Sequence, residues 1–143
     1  MEVSHVRNRL RSAIEAARGR AQERRQLNAE AERAFESFLQ IAAPLCKQMA
    51  NALKVEAGLA FSVFTPERAV RLASDRTRDD FIEITLDTTG ASPRVVGRIS
   101  YGRGSRTIDD ERTVKEGALP GDIGEDDLLA FLLDALQPWL ERH

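Results

Sequence analysis

The sequence predicts an α+β fold: a long N-terminal helix, an antiparallel meander of four or five strands, and a C-terminal helix packed on one sheet face. Three observations predict it. From Glu2 to Lys54 apolar residues recur three and four apart, the spacing that keeps side chains on one helical face. Residues 59–114 alternate apolar and polar in short runs separated by turn residues. Residues 125–140 then place Leu, Phe and Trp around a helix that starts with three acids.

Within the long run, the second half carries two adjacent stripes. One is Leu27, Ala31, Ala34, Phe38, Ile41 and Leu45, and the other is Phe35, Leu39, Ala42, Cys46, Met49 and Leu53. Together they form a face wide enough to bury in a core, broader than a coiled-coil seam. The first half has a narrow stripe only: Val3, Val6, Leu10, Ile14, Ala17 and Ala21. Between Arg18 and Gln26 the chain is almost wholly polar, and Gly19 costs a helix about 1 kcal/mol relative to Ala. Pro44 removes a backbone donor and opposes the carbonyl of Gln40. A kink or break is therefore expected near Gly19 and near Pro44. A continuous helix of 53 residues from Glu2 to Lys54 would span roughly 80 Å. A compact domain of this length has a radius of gyration of only about 15 Å. The expected division is a basic helical arm, 1–26, and a single α+β domain, 27–143.

Gly58 ends the helical pattern, and strands are expected at 59–64, 68–74, 81–87, 94–101 and, more weakly, 106–114. The clearest is Phe81 to Asp87, with Ile82, Ile84 and Leu86 inward and Glu83, Thr85 and Asp87 outward. Short links favour an antiparallel order. Residues 115–124 form a Gly- and Pro-containing loop, and Glu125, Asp126 and Asp127 complement the dipole of the last helix. Pro138 is expected to distort that helix's final turn.

Composition narrows the function classes. The chain is 143 residues, 42% hydrophobic and 31% charged, the balance of one ordinary globular domain. No apolar run approaches the ~20 residues of a membrane span, and Met1–Arg7 has no apolar signal core. A cytoplasmic protein without membrane partners is expected. Cys46 is the single cysteine and lies on an apolar stripe, so a buried structural thiol is expected in place of a nucleophile. Of the two histidines, His5 lies in the arm and His143 ends the sequence, so neither has a rigid setting for proton transfer. No zinc spacing exists. Asp79-Asp80 and Asp109-Asp110-Glu111 lack a calcium-loop pattern and are expected to solubilise turns. Gly102-Arg-Gly-Ser-Arg106 lacks the phosphate-loop spacing and is expected to be a hairpin turn. No catalytic, cofactor-binding or metal-ligating residue is assigned, and no enzyme is expected.

The net charge of −2 conceals an asymmetry. Residues 1–25 carry seven Arg against three Glu, a balance of +4, which leaves 14 basic and 20 acidic groups, −6, for the remainder. The leading expectation is a non-enzymatic protein-interaction module, an adaptor, chaperone-like or regulatory protein. It would self-associate through Val3, Val6, Leu10, Ile14 and Ala17, as a homodimer, and bind an unidentified protein partner. The alternative is a nucleic-acid-associated protein contacting phosphates through Arg7, Arg9, Arg11, Arg18, Arg20, Arg24 and Arg25. Against that alternative, no aromatic residue precedes Phe35, so base stacking is not offered. Arg7, Arg11 and Arg18 are taken to lie on different sides of the helix, leaving no single basic face.

Overall fold

The computed structural model describes residues 1–142. A single helix, α1, runs from Val3 to Ala57 without interruption. Gly19 and Pro44 break nothing. No atom lies near enough to Gly19 to crowd it, and the ~1 kcal/mol it costs is small for a helix extended from a packed segment. Pro44 and Gln40 are both exposed, so the carbonyl deprived of its donor faces water. Gly58 stops the helix with a positive φ of 65°. Its amide donates to the Lys54 carbonyl at 3.1 Å and the Leu59 amide to the Leu53 carbonyl at 3.1 Å.

Residue packing divides the chain into two compact units, with the boundary between Glu30 and Ala31. The first unit is helix alone, and its residues are exposed apart from the half-buried Leu27 and Asn28. In the second, α1 buries Ala31, Phe35, Phe38, Ala42, Leu45, Cys46, Met49 and Leu53. Ile41 was expected on this face but is 45% exposed. It sits about a quarter turn from the centre of the buried set at 3.6 residues per turn.

Five strands follow: β1 Phe61–Phe64, β2 Val70–Ser74, β3 Phe81–Asp87, β4 Arg94–Arg103 and β5 Arg106–Thr113. They form one antiparallel sheet in sequence order, the meander that short links favour. The register Val63–Leu72–Ile82–Ile99 lines up the covered face, and Arg71–Glu83–Arg98–Glu111 lines up the open one. Gly102-Arg-Gly-Ser-Arg106 closes the β4–β5 hairpin, with Arg103 opposite Arg106 and Gly104 at a positive φ of 65°.

A short 3₁₀ turn at Pro120–Asp122 leads into α2, Glu125–Ala135, and then α3, Gln137–Leu140. Asp127 closes the first turn of α2, its Oδ2 accepting the Gly124 amide at 2.9 Å. Pro138 lies in the first turn of α3, where its missing amide costs nothing. Leu128, Leu132, Ala135 and Leu136 are fully buried with Ile82, Ile99 and Val95, so the C-terminal helices cover the same sheet face as α1. Gly97 permits the closest approach: a Cβ there would fall 2.1 Å from Phe131 Cζ.

Candidate functional site

On the open sheet face, opposite charges alternate across the strands. Arg71 bonds Glu83 at 2.8 Å, Arg98 bonds Asp109 at 2.7 Å, and Arg94 reaches Asp87 at 3.1 Å. Phe81 belongs to this face yet is only 8% exposed, because Arg71 lies 4.1 Å over its ring and Arg98 5.7 Å away. A shallow depression of about 540 Å³ adjoins Phe64, Arg71 and Glu83. Of the cations lining it, Arg71 is paired with Glu83.

The shifted carboxylates and arginines all favour their ionised forms. Hydrogen bonds from the Thr89 hydroxyl and amide, then Arg94, hold Asp87 below the usual carboxylate range. The Arg98 guanidinium lowers Asp109, and the Gly124 amide with Lys115 lowers Asp127. Burial raises the Cys46 thiol to about 11, so it stays protonated within the core.

Asp80 corrects one expectation. It solubilises no turn: it is 7% exposed, and its carboxylate accepts the Trp139 Nε1–H at 3.0 Å and the Gly102 amide at 2.8 Å. Both contacts are structural, and no group of three or more His, Cys, Asp or Glu among the described residues could hold a metal. Asp109 and Asp110 are committed to Arg98 and Arg112. Arg112 also bonds Asp134 of α2. His5 is exposed in the arm, and His143 lies outside the described residues.

The arm differs from these neutralised surfaces. Val3, Val6, Leu10 and Ile14 are 73%, 49%, 58% and 39% exposed, and Ala17 is exposed beside them. At 3.6 residues per turn these five fall within an arc of roughly 80°, the width of a helix–helix seam. All seven arginines named above are exposed, and none forms a salt bridge among the described residues. Arg25 donates only to Gln22, at 2.8 Å.

Their placement overturns the scattered arrangement expected from sequence. Arg7, Arg11 and Arg18 line one surface groove together with Leu10 and Ile14. Positions 7, 11, 18 and 25 differ by 4, 7 and 7, and seven residues make almost two turns, so these side chains form a single rail. Arg9, Arg20 and Arg24 fall along the opposite border of the apolar seam. Glu15 lies on the outer edge of the first rail, Glu23 on the far side, and Glu2 in the terminal turn. The sequence signal that reveals the rail was present in the spacing itself.

Comparison with known proteins adds nothing to this geometry: no family model, curated protein or solved structure matches the chain.

Proposed function

We propose that this chain is a non-enzymatic protein-interaction module that docks on another chain through its N-terminal helical arm. The observation that carries the reading is the exposure of Val3, Val6, Leu10 and Ile14 along one narrow line of α1. Single exposed apolar side chains are ordinary, but four in register on one helix face form a seam suited to a second helix. The narrow aliphatic line, without an aromatic residue, suits a helix better than a bilayer surface, which rewards a wider face with Trp or Phe.

The partner always at hand is a second copy. Two arms would bury eight large seam side chains, each already half-covered by its own helix and worth about 1 kcal/mol more. That gross gain of about 8 kcal/mol is the size of the association cost, roughly 4–15 kcal/mol. Self-association is therefore weak, and the charges beside the seam decide it. The test is light scattering coupled to size exclusion at ~1 M salt, where the arginine borders are screened, on wild type and on Leu10→Asp with Ile14→Asp. The reading expects the double variant to lose oligomeric mass while the near-ultraviolet signal of Trp139 shows an intact body. An unchanged mass distribution would overturn seam-mediated self-association.

The common face of Arg7, Arg11, Arg18 and Arg25 favours a second reading, contact with a polyanion. It explains the arginines and leaves the apolar line between them without a role. Binding to double-stranded DNA that persists in Leu10→Asp with Ile14→Asp would favour it.

A further inference from the structure

The seam has arginine on both borders: Arg7, Arg11, Arg18 and Arg25 on one, Arg9, Arg20 and Arg24 on the other. In a parallel pair of arms, opposite borders meet, so Arg18 of one helix faces Arg20 of its copy. In an antiparallel pair, each border meets its own counterpart, and arginine again faces arginine. Either orientation places like charges at the flanking positions that set partner choice in paired helices. The acidic residues of the arm offset little of this: Glu23 points away from the seam, Glu2 precedes the helix, and Glu15, at the edge of the first border, stands against Arg7, Arg11, Arg18 and Arg25.

We infer that the arm is built to receive an acid-flanked amphipathic helix of a different protein, in preference to a second copy of itself. The inference rests on the helix-pairing reading above and adds the chemistry of the occupant. The apolar line at the centre selects a helix with a matching aliphatic seam, and the two arginine borders select carboxylates on both of its flanks. Arginine suits this task because its planar fork can bind a carboxylate through two parallel hydrogen bonds. A homotypic pair then serves as a weak resting state that an acidic partner displaces, since specificity is the difference between the two affinities. Nucleic acid would satisfy the arginines and leave the seam exposed to water.

The test uses the full chain and two synthetic helical peptides, each fluorescently labelled and held at trace concentration. Both carry Leu and Ile at the seam spacing of three, four and four residues. One has Glu at every flanking position and the other has Gln. Fluorescence anisotropy is expected to show the Glu peptide binding at least about tenfold more tightly at ~0.1 M salt, with the gap narrowing toward ~1 M as screening shortens the reach of the charges. The variant Arg7→Glu, Arg11→Glu, Arg18→Glu and Arg25→Glu should lose the preference, and Leu10→Asp with Ile14→Asp should lose binding of both peptides.

Equal binding of the two peptides would overturn the inference and leave the helix-pairing reading standing. Binding of neither would overturn both. Retention of the Glu peptide by the Leu10→Asp, Ile14→Asp variant would reduce the contact to charge alone and overturn the seam. Double-stranded DNA or phosphatidylserine vesicles binding more tightly than the Glu peptide would assign the arm to those surfaces instead.

Discussion

The indole Nε1 of Trp139 donates a 3.0 Å hydrogen bond to Oδ2 of Asp80, tying the last helix to the start of β3 across 59 positions of sequence. The other carboxylate oxygen accepts the Gly102 amide at 2.8 Å, so one buried side chain joins β3, β4 and α3. Phe61 and Tyr101 pack edge-on against the same indole, with centroids 5.6 and 5.9 Å away. Asp80→Ala leaves two donors without an acceptor and is expected to cost about 2–4 kcal/mol. Asp80→Asn, which keeps one acceptor oxygen, should cost less. Urea unfolding checks both, as a lower midpoint at unchanged slope.

Gly97 sets the distance between sheet and helix. A methyl group there collides with the Phe131 ring, so Gly97→Ala is expected to destabilise by more than about 2 kcal/mol. Phe131→Leu in the same chain should recover part of that loss. A double-mutant cycle measures it, and strict additivity would show that the ring is not the obstacle.

Cys46 is 1% exposed, and burial pushes its thiol up to about 11. Labelling by a thiol reagent near neutral pH should therefore wait for unfolding, with a rate that follows global stability as urea is added. Rapid labelling of the folded chain would contradict the packing of this helix face.

Asp87 accepts from the Thr89 hydroxyl at 2.6 Å and the Thr89 amide at 2.9 Å. Its pKa is lowered in the folded chain from an ordinary 3.8. The stabilisation is therefore present above the unfolded pKa and disappears as pH falls through the lower folded value. Acid unfolding should be shallower between about pH 4 and pH 2 in Asp87→Asn than in wild type, because that variant no longer takes up the proton. An unchanged slope would mean that the turn at Thr89 contributes no linkage.

Much of the architecture follows from local pattern. Ile82 and Ile84 are each 1% exposed, as the alternation of β3 requires, and Gly58 stops α1 where the apolar spacing ends. What stayed hidden depends on partners distant in sequence. Asp80 looks like its neighbour Asp79 until Trp139 and Gly102 reach it. Phe81 occupies an outward position and is covered only because Arg71 and Arg98 from adjacent strands close over it. The continuity of α1 through Pro44 depends on which side of the helix faces water, a tertiary property. The basic rail was legible, since Arg7 and Arg18 are 11 residues apart and 11 residues make just over three whole turns.

The most direct test of the arm as a charged helix seam is the mass of the wild-type chain by light scattering at ~0.1 M and ~1 M salt. Screening relaxes the repulsion between arginine borders and leaves the apolar seam intact. The account predicts mass shifting from monomer toward dimer as salt rises, with Leu10→Asp, Ile14→Asp monomeric throughout. A dimer that forms at low salt and dissociates at high salt, or one indifferent to the seam substitutions, would contradict it.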